Sequence, residues 1–487
     1  MSIKNDINKI LLKKFPHLEI SVVKYSEVQT DNESKRIDSE YFKQEYLENE
    51  RIIKSRDYTK LLNVCYFIRN GDDCRDYEEN GIKYIRTGDI KEYGLDLNNC
   101  ATIRNDFISE IKLSIGDLLI TRKGNYGKSQ VINKKEILKS IISSEIFLIK
   151  LKNINPYYAD TFLKSKFGQS QFERNIHGVS NFSVTQEALL NFLIPIFPKE
   201  FQLEIETMVK DSHKALENSK KLYKEAEKIL YEALGLDAEN PLESILSFRE
   251  KNKVIHNHLK RYKRLNISIR TYKESYLKTG RLDAEYYQEK FRKNEILIKN
   301  FAHAKLSDLV NIQKSIEPGS EAYQDDGIEF IRVANLGKFE LSKSYIYLDK
   351  IKFINELEKL YPQKDMILLT KDGSIGIAYC VPENLNCITS AAILHLKIKD
   401  KNIILPQVLT LIINSIIGQL QAQRDSGGAI ISHWTISEIE NILIPLLDLK
   451  TQRKIEAKVK QSFELRDKSK ELLENAKVKI ENAIIDS

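Results

Sequence analysis

The stretch Asp117-Leu-Leu-Ile-Thr-Arg-Lys-Gly-Asn-Tyr-Gly127 stands in this chain twice: with one inserted residue it returns as Asp365-Met-Ile-Leu-Leu-Thr-Lys-Asp-Gly-Ser-Ile-Gly376. The repetition extends outward in both directions and keeps its order. Upstream, Arg36-Ile-Asp-Ser-Glu-Tyr-Phe42 returns as Arg281-Leu-Asp-Ala-Glu-Tyr-Tyr287, and Gly81-Ile-Lys-Tyr-Ile-Arg86 as Gly327-Ile-Glu-Phe-Ile-Arg332. Downstream, Phe192-Leu-Ile-Pro-Ile196 returns as Ile442-Leu-Ile-Pro-Leu446. Solenoid repeats run to roughly 20–50 residues, so a period this long means a tandem duplication of one globular unit.

Each copy then enters a long stretch without Pro or Gly. In the first, Ile205, Val209, Ser212, Leu216, Ser219, Tyr223, Ala226, Leu230 and Ala233 alternate steps of four and three, the rhythm of a coiled-coil seam. Ile455, Val459, Ser462, Arg466, Ser469, Leu473, Ala476, Ile480 and Ala483 repeat it. Each helix would span about 45 Å. Narrow stripes of this kind are marginal alone in water, so the two helices are expected to pack on each other, small Ser and Ala residues allowing close approach. Gly235 followed by Pro241 ends the first helix. In Arg249 to Arg264, Lys251, Lys253, Lys260, Arg261 and Lys263 face one acid, Glu250, a pattern that suits a solvated face or phosphate contact.

Short apolar runs, Asp117 to Thr121 and Glu145 to Leu151, read as buried strands; Tyr157 to Arg174 and Leu405 to Arg424 read as helices. The expected fold is mixed α/β (α+β) in two similar globules, 1–200 and 265–448, each followed by a long helix, 201–234 and 449–487, with a linker at 235–264.

Composition agrees with a folded protein. The 487 residues accommodate two to four domains, and 42% hydrophobic with 30% charged residues exclude a disordered or collagen-like chain. A net charge of +7 permits an acidic partner without requiring one. Five cysteines without a CxxC pair indicate neither a disulfide framework nor a zinc site. The opening residues lack a signal-peptide core, and the most apolar window, Ile403 to Ile417, is shorter than a membrane span. The reading is a cytoplasmic protein without a membrane partner.

Fragments that imitate catalytic motifs fail when compared with the other copy. Gly127-Lys-Ser129 lacks the first glycine of a phosphate-binding loop and is matched by Gly376-Ile-Ala378. Asn155-Pro-Tyr-Tyr158 resembles an amino-methyltransferase motif but lacks its second proline, and reads better as a helix start. Lys and Asp combinations such as Asp349-Lys-Ile-Lys352 are expected by chance in so charged a chain, and the eight histidines form no metal-ligand pair. No catalytic residue and no metal ligand is assigned. A duplicated scaffold with differing surface residues suits recognition better than catalysis.

The ordered set resembles the DNA specificity subunit of type I restriction-modification systems. The resemblance rests on the two Arg-x-Asp-x-Glu-Tyr blocks, on Gly116-Asp-Leu-Leu-Ile-Thr-Arg-Lys-Gly-Asn-Tyr-Gly-Lys128, and on the Ile-Pro blocks followed by Phe201-Gln202 and Thr451-Gln452. It implies two target recognition domains held apart by an antiparallel pair of long helices, an intrachain coiled coil. It implies double-stranded DNA as ligand, each half reading part of a bipartite site. Two methyltransferase subunits would be partners, with restriction (translocase) subunits also possible. The chain itself would be non-catalytic and without a cofactor, S-adenosylmethionine residing on the methyltransferase. Two other readings compete: a self-sufficient adenine methyltransferase using Asn155 to Tyr158, and a coiled-coil adaptor that reads no DNA.

Base edges are contacted by polar side chains on loops, phosphates by cations and backbone N–H groups. The first turn accordingly offers Arg122, Lys123, Asn125, Tyr126 and Lys128, and its counterpart Lys371, Asp372 and Ser374. A second loop offers Ser180 and Asn181, matched by Ser432 and His433, before helices that Thr185 and Thr435 are placed to cap. Phe182 and Trp434 in those loops are expected in the core. Arg86 with Thr87, and Arg332, follow apolar strands and complete the candidate set.

Overall fold

The computed structural model describes residues 2–30, 36–91, 94–95, 97, 99–176, 182–248, 269–353, 359–426 and 433–486. They form two compact units, Met1–Glu217 with Arg466–Ser487, and Asn218–Leu465. Each boundary therefore falls inside a long helix. The first unit is closed by the end of the last helix, and the second contains the end of the first long helix.

The centre of the first unit is a four-stranded antiparallel sheet of β1 (Cys65–Asn70), β2 (Leu118–Thr121), β3 (Ser129–Val131) and β4 (Ile146–Leu151), in the order β1-β4-β2-β3. The second unit repeats it with β5 (Val310–Lys314), β6 (Ile367–Thr370), β7 (Ala378–Cys380) and β8 (Ile393–Ile398), in the order β5-β8-β6-β7. Successive side chains of a strand point to opposite faces, and here both faces are covered. Leu118, Ile120, Phe147 and Ile149 enter the core on the helical side, while Leu119, Ile146 and Leu148 join Ile85 and Ile90 on the other. This is why β2 and β4 read as unbroken apolar runs.

The helices that matter here are α1 (Pro156–Lys164), α2 (Lys166–Arg174), α3 (Lys199–Ala233), α4 (Pro406–Asn414), α5 (Ile416–Asp425) and α6 (Leu449–Asp486). The single helix expected over Tyr157 to Arg174 is thus broken at Ser165, and its counterpart at Ser415. Ser165 caps α2 by accepting from the Gly168 N–H. A side chain on Gly168 would lie 2.5 Å from the Leu163 Cα, and one on Gly418 would lie 2.6 Å from the Ile413 Cα, so the breaks depend on close backbone approach.

The two long helices pack against each other within each unit. In the first, the Ser212 hydroxyl donates to the Ser469 carbonyl at 2.8 Å, and Glu204 pairs with Lys479 at 2.5 Å. In the second, the Ser462 hydroxyl donates to the Ser219 carbonyl at 2.8 Å, and Glu225 pairs with Lys458 at 2.5 Å. Advancing along α3 means retreating along α6 in both units, so the pair is antiparallel. The expected seam is buried on α3 except at Leu216, half-buried, and Ala233, exposed. On α6, Arg466, Leu473 and Ala483 are half-buried. The helix ends also enter the globular cores, Ala476, Ile480 and Ile484 in the first unit and Tyr223, Ala226 and Leu230 in the second.

Gly235, at φ +66°, closes α3 with its N–H on the Glu232 carbonyl and the Leu236 N–H on the Tyr231 carbonyl, the two bonds of a Schellman cap. Beyond it, Leu236 and Ile245 are buried in the second core, with a helix at Pro241–Ser247. The first part of the segment read as linker therefore belongs to the second unit; its residues 249–264 lie outside the described residues.

Candidate nucleic-acid interface

The repeated turn is built by one threonine. Thr121 donates its N–H to the Lys128 carbonyl at 2.8 Å and its hydroxyl to the Asn125 carbonyl at 2.6 Å, and the hydroxyl accepts from the Lys128 N–H at 2.9 Å. Thr370 does the same with Ile377 (3.0 Å), Ser374 (2.5 Å) and the Ile377 N–H (3.0 Å). Both threonines are fully buried. Gly127 and Gly376 adopt φ of +74° and +77°, and Gln169 and Gln419 donate to their carbonyls at 3.1 and 2.7 Å, tying each turn to α2 or α5.

The second loop docks against the turn through backbone. Val184 donates to the Arg122 carbonyl at 2.9 Å, as Trp434 does to Lys371 at 2.8 Å, and Lys123 bridges to Ser183 as Asp372 does to His433. Thr185 and Thr435 cap the helices that follow, accepting from Ala188 and Glu438. The Arg-x-Asp block of the first unit steadies this end: Arg36 binds both oxygens of Asp38 at 2.7 Å and donates to the carbonyls of Arg174 and Ile176 at 3.0 and 3.1 Å. The Arg36 hydrogen bond holds the Asp38 carboxyl below the usual range, and Arg281 does the same to Asp283.

A short segment joins these parts to a further sheet, formed in the first unit by Tyr77–Ile85, Ala101–Ile103 and Ile141–Ile142 and in the second by Tyr323–Gln324, Ile328–Ile331, Tyr347–Leu348 and Cys387–Thr389. The Ser143 N–H donates to the Ile85 carbonyl at 2.9 Å, while Arg122 donates to the Glu145 carbonyl at 2.9 Å. In the second unit Ser390 reaches Ile331 at 2.8 Å and Lys371 reaches Ala392 at 2.9 Å. Arg86 and Arg332, both exposed, follow the strands so held, with their guanidinium groups 6.0 and 5.9 Å from the rings of Tyr77 and Tyr323. In each unit an arginine-bearing strand end, a polar turn and a docked loop are thus linked through one backbone framework.

What that framework carries differs. In the first unit Lys123 is exposed, 3.5 Å from Glu145. Arg122 lies 5.4 Å from the Phe147 ring, its Nε buried without a hydrogen-bond partner among the described residues, so part of this side chain serves packing. Asn125 is exposed, and Tyr126, its phenol pushed up by burial, meets Phe182 edge to face at 6.3 Å. In the second unit Lys371 Nζ contacts Asp372 Oδ2, and His433 Nδ1 lies 2.8 Å from Asp372 Oδ1. Ser374 is exposed at the tip.

Residues 298–478 match the model of the type I restriction modification DNA specificity domain. Over that stretch the chain is similar to this specificity domain. The specificity subunit of the type I restriction enzyme EcoBI of Escherichia coli is 25% identical over 215 residues, 42% of this chain and 45% of that protein. The chain therefore spans just under half the length of that curated relative. Among solved structures, the S subunit of a type I restriction-modification system from M. genitalium is 14% identical, with a TM-score of 0.41 over 88% of this chain and 94% of that one. The HsdS subunit from Thermoanaerobacter tengcongensis is also 14% identical, with a TM-score of 0.27 over 88% and 96%.

In the structure the expected contacts fall unequally. Arg122, Lys123, Asn125, Tyr126 and Lys128 lie on the first turn, and Lys371, Asp372 and Ser374 on the second, with His433 docked against it, while Arg86, Thr87 and Arg332 follow strands tied to these turns through backbone bonds. Ser180, Asn181 and Ser432 lie outside the described residues. Trp434 is 1% exposed, as expected of a core aromatic, but Phe182 is 40% exposed. The two are not counterparts: the backbone pairs Trp434 with Val184. Glu145 was not expected at the interface. Comparison of the copies signals it, since the other unit has Ala392 there. Asn155 accepts from the Tyr157 and Tyr158 N–H groups at 2.9 and 3.3 Å, a helix cap rather than a reactive amide.

Proposed function

We propose that this chain is the non-catalytic specificity subunit of a type I restriction-modification complex, reading double-stranded DNA with two recognition domains at 1–200 and 265–448. Each would read one half of a bipartite site. The chain would recruit two methyltransferase subunits carrying S-adenosylmethionine, and restriction subunits where these are present, in the cytoplasm. Among the described residues no helix is long and apolar enough to cross a membrane.

The observation that carries the proposal is a turn clamped by the same bonds in both units, at Thr121 and Thr370, with different residues on it: Lys123 against Asp372, and Ser183 against His433. A constant frame with variable polar tips is what base readout requires. Co-expression with a type I adenine methyltransferase subunit, followed by mapping of methylated bases, tests it. A split motif with two defined halves and a fixed gap is expected. A stable complex that adds no sequence-dependent methylation would overturn the reading.

A further inference from the structure

The second unit's turn holds an ordered Lys-Asp-His arrangement with no counterpart in the first. Asp372 has both carboxylate oxygens engaged, Oδ2 by Lys371 Nζ and Oδ1 by His433 Nδ1 at 2.8 Å, and its side chain is 24% exposed. The His433 side chain is 61% exposed. An ionised carboxylate only accepts hydrogen bonds, so Nδ1 must carry a hydrogen. In the neutral ring the other nitrogen, Nε2, then bears a lone pair. Among the described residues Nε2 has no partner. A carboxylate is repelled by phosphates, and this one is occupied; the imidazole is the group left to meet a ligand.

Resting on the proposed function, we infer that His433 is the specificity contact of the second unit, its Nε2 accepting from the exocyclic amino group of an adenine or a cytosine in the major groove. Asp372 is a positioning residue that fixes the tautomer and the ring plane, and Lys371 holds Asp372. Major-groove amino donors belong to adenine and cytosine alone, whereas guanine and thymine present oxygen acceptors. The first unit has Lys123 and Ser183 at the corresponding positions, so its half-site is read by different chemistry.

The test uses the full chain in complex with its methyltransferase partner, selecting from randomised duplex DNA at pH 8 and one salt concentration, with parent, His433→Ala and Asp372→Asn compared by sequencing. His433→Ala is expected to lose about tenfold preference for an amino-bearing base at one position of one half-site, the other half-site being read as before, which also reports that the protein is folded. In Asp372→Asn, Lys371 can only donate and claims the amide oxygen. The amide NH2 then faces Nδ1, and the ring hydrogen moves to Nε2. Preference at that position should swing to guanine or thymine. A His433→Ala complex that selects the parental motif unchanged, or an Asp372→Asn complex that keeps the amino-bearing base, overturns the assignment. A parent complex without base preference overturns the proposed function first, and this inference with it.

Discussion

Ser212 and Ser469 meet through a buried pair of hydrogen-bonding contacts, Oγ to carbonyl at 2.8 Å and Oγ to Oγ at 2.9 Å. Their repeat partners, Ser462 and Ser219, meet in the same way at 2.8 and 3.1 Å. The donor in the first unit lies on α3 and in the second on α6, so the duplicated position keeps its hydrogen bond while the helices exchange roles. Ser212→Ala removes both contacts and should cost about 1 kcal/mol. Ser212→Leu forces a large side chain into a gap only serine fills and should cost about 1–3 kcal/mol or more. Urea unfolding midpoints would rank the variants; a leucine variant as stable as the alanine one would show that the helices are not closely packed there.

Acid should weaken both units by a traceable route. Burial pushes His213 and His395 down to about 4, the first bonded to Asn133 at 2.8 Å and the second to Thr389 at 2.8 Å. The fold favours the neutral ring, so unfolding releases a group that takes up a proton below about 6.5. Stability is therefore full above that pH, falls as pH drops toward 4, and at pH 5 each ring costs about 2 kcal/mol. His213→Gln should flatten part of the decline between pH 6.5 and 4 in denaturant titrations. An unchanged slope would mean the ring is protonated in place.

The glycines of the first turn should not be equivalent. Gly124, at φ +68°, has open space where a side chain would go, so Gly124→Ala pays only for its left-handed backbone, about 1–2 kcal/mol. Gly127, at φ +74°, would put that carbon 3.1 Å from the Phe172 ring as well. Gly127→Ala should therefore lower the melting temperature further than Gly124→Ala. The reverse order would show that the turn relaxes away from α2.

Much of this was legible because the chain carries its own comparison. Matching blocks at Asp117 and Asp365 located the central strands, and the four-three rhythm located both long helices, since each signal arises from local periodicity. The break at Ser165 was not legible, because it depends on Gly168 meeting the backbone of Leu163, a contact within the folded helix pair. Nor was the exchange of partners at Trp434, where one intervening residue decides whether an aromatic faces the core or solvent. At the candidate face, sequence gave the turn residues but not Glu145 or the Asp372 and His433 pairing, which arise when segments distant in sequence are brought together by backbone bonds.

The two turns should also differ in how they respond to salt. Each phosphate contact adds about 0.9 to the slope of log affinity against log salt. On the first turn Lys123 is exposed and only loosely opposed by Glu145 at 3.5 Å, and Lys128 stands where the second unit has Ile377. Lys371 is already occupied by Asp372. Replacing Lys123 and Lys128 together with Ala should therefore flatten the slope by about 1.8, with affinity falling across all sequences alike. Lys371→Ala should leave the slope unchanged and act instead on base preference, because it removes the hold on Asp372. Fluorescence anisotropy of the methyltransferase complex on cognate and scrambled duplexes at several salt concentrations separates the two. Equal slopes for the parent and the Lys123, Lys128 double variant would mean that the first turn touches no phosphate.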